Sequence, residues 1–338
     1  MRPWQVRFYD ECADSRRPPI GWCILGGRSG VFHAVEGALF DSSSRDSWLE
    51  IPGGPKLFTR AWGEDPKAPA VAIIHGLGDH SGRWERVGRT LQSRGFTAYA
   101  LDLPGHGRSE GRRGHVKSWD DYRNAVTRWI ETLRQGDGGR RWALFGHSLG
   151  ALIALDWSEL HPRYVDALVL SAPPFELSLK PATIKVHAAR LIGLLWPGFT
   201  QGNQIPPSLL SHDPAVVRAH RSDPYVHFRI SARLFLEFQA MRRKLAKVSG
   251  THSIPTLLIQ GGADPVSSCL GSAQWAKTAK EGIVTYKEYP GLFHEVLNEV
   301  DGAAILDEVI VWLKQALSAP RQDGAPASSI STASIQPR

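Results

Sequence analysis

A chain of 338 residues, 42% of them apolar, is long enough to bury one large core and allows either one domain with an insertion or two domains. Its 40 Lys and Arg against 33 Asp and Glu leave a formal +7, but no basic helix is interleaved with aromatics, so no nucleic-acid partner is expected. Cys12, Cys23 and Cys269 form no even, regularly spaced set and imply no disulfide framework, and no apolar run is long enough to span a bilayer.

Residues 1–46 mix Arg, Pro, Gly and Ser without sustained periodicity and read as a poorly ordered extension. Within them Arg16 and Arg17 precede IGWCILGG, which is short and glycine-diluted for an export signal, so a cytoplasmic location is expected. From SWLEI and KLFTRAW onward, short apolar runs alternate with helical patterns. VAIIH at Val71 precedes RWERVGRTLQSRG, TAYALD at Thr97 precedes DDYRNAVTRWIETL, and WALFG at Trp142 precedes SLGALIALDWSEL, with DALVLS following at Asp166. That alternation predicts βαβ units and a mostly parallel sheet covered by helices. The pattern resumes with TLLIQG at Thr256, a helix near SAQWAKTA, TYKEY at Thr285, and a closing amphipathic helix from Ala303 to Leu317.

Between the strands ending near Ser171 and starting near Thr256 lie more than eighty residues, well beyond the roughly ten to fifteen of a one-helix crossover. An insertion is expected there, with helices in PATIKVHAARLIGLLWPGF, DPAVVRAH and ISARLFLEFQAMRRKLAKV, capping the carboxyl edge of the sheet where ligands bind in open α/β folds. The expected organisation is a core of residues 47–172 and 251–317, a helical cap over 173–250, and a disordered Ala-, Ser- and Pro-rich tail over 318–338.

Two pentapeptides fit G-x-S-x-G, one around Ser148 and one around Ser109. Ser148 follows the most apolar strand and precedes an Ala- and Leu-rich helix, the strand-to-helix context a nucleophile elbow requires, with Gly146 and Gly150 removing Cβ atoms where strand and helix meet. On the pentapeptide alone, a plain helix N-cap is the competing role. Ser109 is followed by the polar, glycine-broken EGRRGHVKSW and reads as the decoy. A serine hydroxyl needs a base in reach, and the base a carboxylate. Of 13 histidines, His294 in YPGLFHEVLNE falls between the last strand and the final helix, where its ring can reach the elbow. Asp264 in GGADPVSS is the acid in the turn after TLLIQG, and Glu176, after the preceding strand, is its rival. Two backbone N–H groups are needed for the oxyanion: Leu149 at the helix start, and Leu77 in HGLGDH, flanked by Gly76 and Gly78.

The motifs HGLGDHSGRW, LDLPGHGRSEGRRGHV with SWDDY, GHSLGAL, LVLSAP, DPYVHFRISARLFLEF, GGADPVSS and YPGLFHEVLNE lie in the order of the monoacylglycerol lipase and lysophospholipase group of α/β-hydrolases, which the chain resembles from about Leu57 to Leu317. Ala151 stands where many of that group carry a third glycine, and the first 46 or so residues have no counterpart. The resemblance implies an α/β-hydrolase fold with an inserted lid, Ser148, Asp264 and His294 as triad, and the amides of Leu77 and Leu149 as oxyanion hole. It implies hydrolysis of glycerol esters bearing one fatty acyl chain through an acyl-enzyme, with no metal or organic cofactor. Lysophospholipase or general carboxylesterase action is the near alternative. A proline-iminopeptidase-type activity is more distant, because the cap is rich in Arg rather than in the acids that would hold a substrate amine. The expected partner is a small lipid ester, with peripheral membrane contact through an apolar cap stripe containing Ile184, Ala188, Leu191, Ile192 and Leu195.

Overall fold

The computed structural model describes residues 44–178, 189, 191–193, 195–203 and 205–320. Eight strands form one sheet: β1 (Arg45–Glu50), β2 (Lys56–Trp62), β3 (Ala70–Ile74), β4 (Thr97–Leu101), β5 (Trp142–His147), β6 (Ala167–Ser171), β9 (Thr256–Gly261) and β10 (Val284–Tyr289), in the order β1-β2-β4-β3-β5-β6-β9-β10. β1 pairs antiparallel with β2 and β2 antiparallel with β4, while every other pairing is parallel. β1 takes in Arg45 and Asp46, two residues ahead of the core boundary expected at 47; residues 1–43 of the expected N-terminal extension, and nearly all of the C-terminal tail, lie outside the described residues.

The central strands are apolar along their whole length because both faces are covered. Along β3, Ala70, Ala72 and Ile74 face one layer with Tyr122, Trp129, Leu152 and Trp157, while Val71 and Ile73 face the other with Val87, Leu91, Val309 and Leu313. The first layer comes from α2 (Asp120–Arg134) and α3 (Leu149–Leu160), the second from α1 (Glu85–Ser93) and the closing helix α7 (Gly302–Ser318). α3 is buried from Leu149 to Ser158, so its sequence carries no amphipathic stripe.

β9 returns beside β6, so the long intervening segment is an excursion from one sheet position to its neighbour. Within it the structure places α4 (Pro214–Ser222) and α5 (Ala232–Leu245) where two helices were expected, together with a short antiparallel ribbon, β7 (Thr200–Gly202) and β8 (Arg229–Ser231), that the periodicity did not indicate. Three-residue strands are too short to leave a period-two signature. Most of the expected first helix, including Ile184, Ala188 and Leu194, falls outside the described residues. α6 (Cys269–Thr278) links β9 to β10.

The candidate active site

At the junction of β5 and α3 the backbone of Ser148 lies at φ 53° and ψ −119°, a conformation that costs a non-glycine residue about 1–3 kcal/mol. The surroundings over-determine it: Ser148 N–H donates to Ser171 O on β6 at 2.9 Å, and its carbonyl accepts from Ala151 N at 2.9 Å. A Cβ on Gly146 would lie 2.4 Å from the Gly150 carbonyl oxygen, and one on Gly150 would lie 2.1 Å from that of Ile74. Strand and helix therefore meet at this angle only with glycine at both positions. Leu149 opens α3, where the first N–H groups have no intrahelical acceptor, and half-buried Leu77, on the loop after β3, lines the same pocket as Ser148 and His294.

Ser109 is built differently. It is buried, its Oγ donates to Asp102 O at 2.5 Å and accepts from Phe58 N at 2.9 Å, and so it ties the β4 loop to β2. The serine that reads from sequence as the decoy is therefore not without a role: it helps to hold the fold.

Asp264 and His294, thirty positions apart, meet at the carboxyl edge of the sheet: His294 Nδ1–H donates to Asp264 Oδ2 at 2.8 Å. Oδ2 also accepts from Gln260 Nε2 at 2.8 Å, while Oδ1 accepts from Val266 N at 2.8 Å and Ser267 N at 3.0 Å. Burial pushes the Asp264 carboxyl up, but the His294 imidazole and those two amides outweigh it and hold the group below its ordinary value. For His294, burial pulls down and the Asp264 charge and hydrogen bond pull up harder, leaving the imidazole above its ordinary 6.5. Glu176 takes no part in this contact; its carbonyl accepts from Ser268 N. His147, with its ring centroid 5.0 Å from that of His294, is pushed down to about 4 by burial and then by its neighbour, so it stays neutral beside a charging His294.

Three residues the sequence reading passed over shape the pocket wall. Arg83 bridges two carboxylates, donating to Asp79 Oδ1 at 3.0 Å and to both Glu295 oxygens at 3.0 and 2.7 Å. Burial raises both carboxyls and the guanidinium overrides it, so Asp79 and Glu295 sit well below their ordinary range. Since Asp79 follows Leu77 by two positions and Glu295 follows His294, the ion pair staples the loop carrying Leu77 to the loop carrying His294. Gln260 escaped notice for another reason: a glutamine inside an apolar strand gives no sign of its partner across a turn.

Strand order, elbow and the Asp264–His294 pair define the chain as an α/β-hydrolase. The family described as serine aminopeptidase, S33, matches residues 65–301. A monoacylglycerol lipase from Mycolicibacterium smegmatis is 28% identical over 263 residues, which are 77% of this chain and 94% of that one. Human monoglyceride lipase is 30% identical over 272 residues, 78% of this chain and 88% of its own. The crystal structure of a monoacylglycerol lipase from Paleococcus ferrophilus superposes with a TM-score of 0.71 at 32% identity, covering 77% of this chain and 99% of that one. The chain belongs to the S33 serine aminopeptidase family of hydrolases.

Proposed function

We propose that the chain hydrolyses monoacylglycerols through an acyl-enzyme on Ser148, a reading carried above all by the Asp264–His294 hydrogen bond in the pocket that holds the strained Ser148. His294 Nε2 takes the Ser148 Oγ proton as Oγ attacks the ester carbonyl, and the oxyanion binds the N–H groups of Leu77 and Leu149. On collapse the C–O bond to glycerol breaks, and the alkoxide leaves with the proton from His294. Water, deprotonated by His294, then attacks the acyl-enzyme and frees the fatty acid. Asp264 holds the tautomer with Nδ1 protonated and stabilises the imidazolium.

An ester is favoured over a peptide with a free amine because the two carboxylates lining the pocket, Asp79 and Glu295, are both bound to Arg83 and offer no unpaired charge to an ammonium group. A panel of monoacylglycerols, lysophospholipids, short p-nitrophenyl esters and aminoacyl amides tests this reading. The highest kcat/KM is expected for a monoacylglycerol; a lysophospholipid or an aminoacyl amide in that place refutes the assignment.

Residues 173–250 serve in this reading as the cap, contributing Ile205, Leu210, His220, His227 and Phe228 to the pocket that Ser148 and His294 line. Leu191, Leu195 and Trp196 are exposed by 61%, 79% and 62%, a concentration of apolar surface suited to drawing a poorly soluble ester from a bilayer. No helix among the described residues is long and apolar enough to cross a membrane; the reading is a cytoplasmic enzyme that docks peripherally. Replacing Leu195 and Trp196 with Ser is expected to weaken binding to anionic vesicles and to raise KM for long-chain monoacylglycerols, with little effect on a short soluble ester. Equal losses on both substrates with a falling Tm would make the patch part of the packed core.

A further inference from the structure

His294 sits on a loop whose backbone is held from outside its own strand and helix. On one flank Glu295 N–H donates to Leu210 O at 2.8 Å. On the other, Phe293 N–H donates to Glu299 Oε1 at 2.9 Å. The Glu299 side chain is 1% exposed, and its remaining lone pairs also point at the segment leading into α4: His212 Nδ1–H donates to Oε1 at 2.9 Å and His212 N–H to Oε2 at 2.9 Å. Ser211 Oγ lies 3.3 Å from Oε2 and donates at 2.8 Å to the carbonyl of Asn298, while the Phe293 and His212 rings stack with centroids 3.7 Å apart. Both neighbours of His294 are thus bound, directly or through one buried carboxylate, to residues 210–212.

Those residues are also the foot of α4. Asp213 caps the helix by accepting from Ala215 N at 2.7 Å, and its far end is tied to the core by Asp223 Oδ2, which accepts from His80 Nε2 at 2.9 Å. Leu210 and His220, before and within α4, line the pocket facing Ser148. Any displacement of α4 would therefore be passed to residues 210–212 and, through Glu299, to the Leu292–Phe293 peptide unit, one residue ahead of His294. A buried carboxylate held by three N–H donors is stiff, because losing one leaves part of a buried charge unpaired.

We propose that Glu299 is a positioning residue that makes the place of His294 depend on the segment entering α4, so that the cap and the general base move as one unit. The inference rests on His294 being the base. It is tested by kcat and KM on p-nitrophenyl butyrate, too short to need the cap's acyl contacts, and by the rate at which a fluorophosphonate labels Ser148. Glu299→Ala is expected to lower kcat and the labelling rate about tenfold or more with KM within about twofold, since small misplacements of a catalytic group cost rate and not affinity. His212→Ala, at a half-exposed site that tolerates truncation, is expected to lose several-fold in the same two quantities. His212→Asn, whose Nδ2 can donate in place of Nδ1, is expected to recover most of the loss. Should Glu299→Ala fail to fold, the His212 pair decides. Unchanged kcat and labelling in His212→Ala, with only Tm or KM moved, overturns the coupling. His294→Ala run in parallel separates the failures: if it stays active, the base assignment falls and this inference with it, whereas an inactive His294→Ala beside normal turnover in the Glu299 and His212 variants sinks the coupling alone.

Discussion

Ser148→Ala is expected to lower kcat by at least about 10⁴-fold on every ester while leaving the fold intact. Alanine keeps the Cβ and the backbone donor to Ser171, and the strain at φ 53° belongs to the backbone, so removing the hydroxyl neither relieves nor adds to it. Ser109→Ala should do the reverse. Its hydroxyl satisfies Phe58 N and Asp102 O inside the core, so its loss leaves a buried donor and acceptor unpaired and costs about 1–3 kcal/mol. Turnover per folded molecule should stay near wild type while Tm falls. Thermal melts with kcat measured well below Tm distinguish the two cases. An inactive Ser109→Ala beside an active Ser148→Ala would exchange the assignments.

Asp264→Asn is expected to fold and to lose about 10³–10⁴-fold in kcat. The two backbone amides on Oδ1 cannot reverse their polarity, so the new carbonyl oxygen takes that side and the NH₂ turns toward His294 Nδ1. His294 can accept from it only by moving its proton to Nε2, where the base needs a lone pair. The pH dependence follows with a definite sign. A raised imidazole pKa keeps His294 protonated, and useless as a base, to higher pH, so kcat/KM in the native protein should rise through a midpoint above 6.5. Asp264 is the main cause raising that midpoint, and burial alone lowers it, so in Asp264→Asn the residual activity should titrate at lower pH. Retained activity with an unmoved midpoint, together with inactivity in Glu176→Gln, would pass the acid role to Glu176.

Residues 65–301 and the S33 match set these expectations on a common frame, but the frame was legible at different depths in different places. The sequence by itself determined the strands and flanking helices of the core, because runs buried on both faces must be apolar throughout and turn residues must interrupt them. It also determined which serine sits on a strand-to-helix turn, because Gly146 and Gly150 are the local signature of that approach. The places of Asp264 and His294 at the ends of consecutive strands could be read from chain order for the same reason. Only the tertiary structure decided what those side chains touch. That Oδ2 of Asp264 serves both His294 and Gln260, that Arg83 joins Asp79 to Glu295, and that Glu299 binds Phe293 and His212 are contacts between segments 4 to 212 positions apart in the chain. Hydrogen bonds of that kind leave no periodicity, since their geometry is set by how loops from different strands converge at one sheet edge. The core duty of Ser109 was hidden for the same physical reason, its partner Phe58 lying 51 positions away, whereas the ribbon of β7 and β8 was hidden because three-residue strands leave no period-two signature.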